Sequence, residues 1–217
     1  MTESTQTVQS PVVGSLIVYT NALLLGTGLM SLEMLGSRYL GPYFGSSIHI
    51  WAALISTVLA ALSAGYFLGG YIADKFPSLL VLGGVVLLAS GYIALIPFFL
   101  DEACILVIRM ISGPALGSLA ASFAILFLPL MGIAIFTPFG VRLLVRGHGS
   151  DRPGTATGIM YGISTLGNIF GILFTTFYLM PRYGSRVITY QISLVILISA
   201  LSFWIYHWAN RGKPHSS

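Results

Sequence analysis

The chain has 217 residues, of which 7% are charged and 56% apolar, with a mean hydropathy of +0.90. A soluble domain carries about 25% charged residues, so this composition excludes a water-facing surface over most of the chain and makes lipid its solvent. The net charge of +4 is too small and too dispersed for nucleic-acid binding, and the single cysteine, Cys104, excludes an intrachain disulfide and a thiolate metal cluster.

In chain order, the first thirteen residues are polar, with Glu3 their only charge. They lack the basic n-region and small-residue cleavage site of a secretory signal, so the first apolar stretch is expected to remain as a membrane helix. A span needs about 20 apolar residues, and six stretches qualify: 14–38, 50–73, 78–100, 116–141, 155–180 and 187–208. The fold class read from this pattern is all-α, a polytopic transmembrane helix bundle of six spans over 14–208, with tails at 1–13 and 209–217. No separate soluble catalytic domain is expected. The segment 101–115 opens with Asp101-Glu102, contains Arg109 and is interrupted by Gly113-Pro114. It reads as a short interfacial or re-entrant helix.

Lysine and arginine set the orientation of such a bundle. Lys75, Arg142, Arg146, Arg152, Arg211 and Lys213 fall on one side, and Arg38, Arg109, Arg182 and Arg186 on the other. The bias places both termini in the cytoplasm, with the cell (inner) membrane as the expected location.

The second span repeats Ala53, Thr57, Ala61, Gly65, Gly69 and Ala73 every four residues, and the fifth repeats Gly154, Gly158 and Gly162, then Gly167 and Gly171. Small residues at this spacing let helix backbones approach closely in lipid, where association gains little from apolar burial. Both helices are therefore expected to be buried at close crossings. Pro97 and Pro129 should bend their spans, while Pro138 lies near a span end, where a terminating role is enough.

Few residues carry chemistry. Glu33 is an ionisable group inside a span, which is costly and marks a binding or gating candidate as readily as a structural cross-link. Arg38 lies about 140° around the same helix, so each should reach a neighbouring element, with Asp101 and Glu102 available to Arg38. His49 and Trp51 open the second span at the same interface, where hydrogen-bonding and belt anchoring are the ordinary roles. Asp74-Lys75 ends that span, and Asp at a helix C-terminus is electrostatically unfavourable; a latch to Arg142 or Arg146 is expected. Tyr161, Ser164, Thr165 and Asn168 put polar groups within two turns of the fifth span, as interhelical hydrogen bonds or a polar pocket lining. No metal-ligand spacing, nucleophile elbow or phosphate loop occurs, so no cofactor, metal or catalysis is expected of this chain alone.

The run Glu33-Met-Leu-Gly-Ser-Arg38-Tyr-Leu-Gly-Pro42-Tyr-Phe-Gly45-Ser46, then Trp51 and Gly65 to Asp74, resembles the N-terminal membrane domain of spermidine synthase-like proteins. Gly158-Ile-Met-Tyr161-Gly-Ile-Ser164-Thr165-Leu-Gly167-Asn-Ile-Phe-Gly171 with Leu179-Met-Pro181-Arg-Tyr-Gly184, and Pro138 with Arg142, are similar to the same domain's later spans. The resemblance covers about 30–76 and 130–186. It implies that Glu33, Arg38, Trp51, Asp74 and the glycines determine fold or function of a membrane part. In that family the membrane part is fused to a soluble synthase domain, which this sequence does not contain, so aminopropyl transfer is not carried over. The expected function is a non-catalytic membrane subunit that anchors, or passes a small compound to, a partner enzyme or complex. The alternatives are a small dimeric transporter of a cationic or amphipathic solute, and a structural accessory subunit. Gly70-Tyr-Ile-Ala73-Asp74-Lys75 also resembles a loop of the major facilitator transporters, half of whose span number is six; Pro77 replaces the glycine expected there.

Overall fold

The computed structural model describes residues 11–76, 78–148 and 153–211. Among them the chain is helical without strands, and six stretches are long and apolar enough to cross a membrane. Helix α1 runs Pro11–Phe44, α2 Ile48–Lys75, α3 Leu79–Met110 and α4 Pro114–Ala134, continued by α5 Phe136–His148. The fifth span joins α6 Pro153–Leu173, a π-helical stretch Phe174–Leu179 and α7 Met180–Arg182, and α8 Ser185–Arg211 closes the bundle. Parts of both expected tails, Pro11 to Val13 and Ala209 to Arg211, are thus helical.

The turns are set locally. Gly45 (φ +80°) ends α1 in the left-handed region that only glycine enters at no cost, its N–H reaching the Gly41 carbonyl at 2.9 Å. Gly113 (φ +107°) makes the turn into α4, whose first residue Pro114 has no N–H to leave unpaired. Ser78 caps α3 by accepting from the Leu80 N–H at 3.3 Å.

Two expectations are corrected here. Asp101 to Met110 is not a separate short helix; it continues α3, which runs unbroken to Met110 with Pro97 inside it. At 1.5 Å per residue α3 is about 48 Å long, longer than an untilted span of a hydrocarbon core of about 30 Å requires. Pro138 does not end the fourth span. It lacks the N–H that would bond the Ala134 carbonyl, the helix breaks at Ile135, and it resumes as α5.

Helix α1 is the hub, touching α2, α4, α5, α6 and α8. Around it α2 packs chiefly on α4, α4 on α3, and α3 on α8. Side-chain hydrogen bonds stitch this body together. Ser90 and Ser193 each donate to the other's carbonyl, at 2.9 and 3.0 Å, joining α3 to α8. Asn21 of α1 donates to Ser202 at 2.9 Å and accepts from Ser199, and Tyr39 bonds Thr189, joining α1 to α8. Ser122 of α4 donates to Thr57 of α2 at 2.8 Å.

The small-residue stripe of α2 is buried along its full length at the α4 crossing, from Ala53 and Thr57 through Ala61, Gly65 and Gly69 to Ala73. A Cβ on Gly65 would lie 2.6 Å from the Met131 carbonyl oxygen, and one on Gly69 2.6 Å from that of Ile135. The fifth span is different. It is the least buried of the six and packs on α1 and, near its start, on α5. Gly167 and Gly171 lie against the α1 backbone at Leu23 and Thr27, whereas Gly154, Gly158 and Gly162 are exposed with nothing within 4 Å of an added Cβ. The expectation that Gly158 and Gly162 are buried is therefore overturned. The buried face of α6 carries Met160, Gly167 and Gly171, and Gly158 lies half a turn away from it.

Candidate functional site

Because α6 stands on α1 while barely touching α2 or α8, a gap opens on each side of it. The gap toward α2 contains a small polar cleft of about 40 Å³, lined by Gly26 and Leu29 of α1, Leu62 and Tyr66 of α2, Thr137 of α5, and Ser164 and Asn168 of α6. The break at Ile135 turns Thr137 into it. Asn168 reaches this position because Gly26 has no side chain: a Cβ there would meet the Ser164 carbonyl and sit 3.0 Å from Asn168 Oδ1. That oxygen is buried without a hydrogen-bond partner. Roughly 10–15 Å³ of such volume holds one water, so the cleft has room for about three.

Glu33 is 7% exposed, and among the described residues no hydrogen bond or ion pair reaches its carboxylate. It follows Gly26 by seven residues, close to two full turns, which puts it on the same face of α1 about 10 Å further along the axis. Glu33, Tyr66, Ser164 and Asn168 therefore share the side of α1 that lies between α2 and α6. Tyr161 is 43% exposed and does not line the cleft, although it lies within electrostatic reach of Tyr66.

Arg38 takes a different partner from the one expected. It donates to the backbone carbonyls of Met180 at 2.7 Å and Tyr183 at 3.1 Å, supplying donors to the open carbonyl end of the fifth span. Asp101 instead accepts from Tyr43 Oη at 2.6 Å. The cause is helical phase: Arg38 lies on the α6 side of α1, in line with Ser31, which bonds Gly171 and Thr175. His49 and Trp51 are exposed at the start of α2.

At the other end of the bundle Asp74 pairs with Arg142 of α5, across the α2–α5 contact. Lys75 does not enter this pair; its Nζ lies 5.8 and 5.6 Å from the rings of Tyr71 and Phe76. The side chain of Arg146 lies outside the described residues. Among the described residues no three His, Cys, Asp or Glu side chains are grouped to hold a metal.

The gap on the far side of α6, toward α8, was not anticipated. It is a groove of about 410 Å³ between α1, the π-helical stretch and α8. Its wall is a ladder in which Phe170 stacks on Phe174 (5.2 Å between ring centres) and Phe174 on Tyr178 (5.1 Å), with the Arg182 guanidinium 4.1 Å over the Tyr178 ring. The four-residue spacing of these side chains was the legible signal. The π-helix was not, and it keeps the rings aligned. Four residues of α-helix turn slightly past a full circle and four of π-helix fall slightly short, so the two steps offset each other.

The fold and these two gaps define a polytopic helical membrane protein with a carboxylate held inside its spans. No protein-family model matches the chain, and no curated protein or solved structure matches it.

Proposed function

We propose that the chain is a non-catalytic integral membrane subunit, of the type resembling the membrane domain of spermidine synthase-like proteins. It passes a small cationic compound to a partner enzyme or complex through the gap between α2 and α6. In this reading it lies in the cell membrane with both termini cytoplasmic, as the lysine and arginine distribution favours.

The observation that carries the reading is Glu33. An ionisable side chain within a span that is buried and has no protein counter-charge is poised for a mobile one. The polar groups of Tyr66, Thr137, Ser164 and Asn168 continue the same face toward the Asp74 end, giving a hydrated cation successive oxygen acceptors. The openness of the fifth span on the outside is support for assembly with a further membrane helix.

The test is purification from the native membrane in mild detergent, with mass spectrometry of the proteins and small cations retained. A partner protein and a bound amine, with the amine lost in Glu33→Gln while the partner stays, supports the subunit reading. Solute flux in proteoliposomes holding this chain alone, abolished by Glu33→Gln, would replace it with the dimeric transporter. Retention of the same amine by Glu33→Gln would remove Glu33 from the site.

A further inference from the structure

We infer that the groove between α1, the π-helical stretch and α8 holds an acyl chain of an anionic membrane phospholipid, with Arg182 at its mouth receiving the phosphate. The inference is independent of Glu33, which lies on the opposite side of α6.

The groove's size fits a specific ligand. Its volume of about 410 Å³ lies in the range of small-molecule sites, roughly 300–1,000 Å³. Its walls are nearly all apolar: Leu23 and Leu24 of α1, the stacked Phe170 and Phe174, and Ile192 and Val195 of α8. A hydrocarbon chain is the occupant such walls select.

Charge identifies the head. Arg38, Arg182 and Arg186 gather at the end of the fifth span and the start of α8, and among the described residues none has a carboxylate partner. The Arg38 guanidinium is committed to the carbonyls of Met180 and Tyr183. Arg182 donates from one nitrogen to the Tyr178 carbonyl at 3.1 Å and holds its guanidinium carbon 4.1 Å over the Tyr178 ring, so the ladder that lines the groove ends in an uncompensated cation held by two contacts. A guanidinium held in one plane with donors to spare matches a phosphate. Acidic groups at this end are Asp101 and Glu102, and Asp101 is engaged by Tyr43.

A second feature points to a ligand. Gln191 lines the groove, and its Oε1 is buried with no hydrogen-bond partner. Six residues into α8 from Ser185, it lies about 9 Å below the mouth. A buried acceptor without a donor is unfavourable; a diacyl phospholipid has no O–H on the groove side of its phosphate, so a water carried in with it is the donor that would satisfy the Gln191 oxygen.

The probes are phosphatidylglycerol and phosphatidylcholine with identical acyl chains, titrated onto the detergent-purified full chain and read by native mass spectrometry. Both lipids offer the same phosphate, but the choline ammonium offsets its charge, so phosphatidylglycerol is expected to bind about fivefold more tightly, the scale of one basic side chain's attraction to a net anionic lipid. Arg182→Gln should abolish the preference, and Arg182→Lys, which keeps the charge but not the stacked fork, should keep part of it. Val195→Trp, which fills the groove without touching the cation, should displace both lipids. Equal binding of the two lipids, an Arg182→Gln protein that keeps the preference, or a Val195→Trp protein that binds as the parent does, would each overturn the inference. A single-chain alkyl phosphate binding where the diacyl lipid does not would overturn its assignment to a bilayer lipid. Thermal unfolding of each variant separates loss of the site from loss of the fold.

Discussion

Alanine at Gly167 and at Gly158 should have opposite effects, although both glycines belong to one helix and one repeating pattern. A Cβ at Gly167 would lie 3.0 Å from the carbonyl carbon and 3.1 Å from the Cα of Leu23, and closer still to the Leu23 oxygen. All of these are backbone atoms, so relief requires lifting α6 off α1. Overpacking of this kind costs about 1–3 kcal/mol, while replacing a helical glycine by alanine returns up to about 1 kcal/mol. Gly167→Ala should therefore lose up to about 2 kcal/mol by the same sum, and Gly171→Ala should match it through Thr27. At Gly158 and Gly162 nothing lies within 4 Å of the added atom, so only the propensity gain remains. For a chain of this size about 1 kcal/mol moves Tm by roughly 2–4 °C, which separates the two classes by several degrees. Thermal unfolding of the four single variants in one detergent measures this. If Gly158→Ala lowers Tm as much as Gly167→Ala, the outer face of α6 is covered in the isolated protein and the account of an exposed fifth span is wrong.

Other contacts give smaller effects. Asp74→Asn should cost less than about 1 kcal/mol in thermal unfolding, because the Asp74 side chain is 77% exposed and such ion pairs are weak; a larger loss would mean the pair is shielded from water. Arg38→Ala removes donors from the Met180 and Tyr183 carbonyls, so hydrogen exchange should speed up around 180–186 and leave α8 beyond Ser193 unchanged. The Ser90 and Ser193 hydroxyls also lie 3.2 Å apart. A double-mutant cycle of Ser90→Ala and Ser193→Ala reads that contact alone, because each bond to a backbone carbonyl survives loss of the other side chain; its coupling should be about 0.6 kcal/mol and not above about 1.7. Strict additivity of the two would show that the hydroxyls do not bond one another, whatever their bonds to the backbone.

The sequence made the six spans and the α2–α4 seam legible because composition and a four-residue period report on length and on close approach. The same period failed in the fifth span. Gly158 and Gly167 look alike as letters, and which of them meets a neighbour depends on helical phase relative to α1, which only the packed bundle sets. Arg38 was misassigned for a related reason: its expected carboxylate at Asp101 lies at the same end of the bundle but faces Tyr43, while the open carbonyls at the end of the fifth span are invisible as side-chain types. Glu33, Ser164 and Asn168 were legible as polar groups in apolar spans. Tyr66 and Thr137, which line the cleft with the last two, were hidden in stretches that read as packing.

The two gaps beside α6 arise from one cause. A helix seated on a single neighbour through glycines, with its backbone against that neighbour's backbone, leaves both flanks open. What differs is the chemistry each flank inherits. Toward α2 the fixed charge is the carboxylate of Glu33, with oxygen acceptors beyond it. Toward α8 it is the guanidinium of Arg182 at the end of an aromatic wall. In the two readings proposed above, opposite charges on opposite sides of one helix sort their occupants, cations to the first flank and anions with an apolar tail to the second. Since both flanks border α6, an occupant of either one adds contacts to the least buried helix of the bundle. By linkage, any ligand that binds only the packed form of α6 strengthens its seat on α1, and so favours the geometry that the other flank requires.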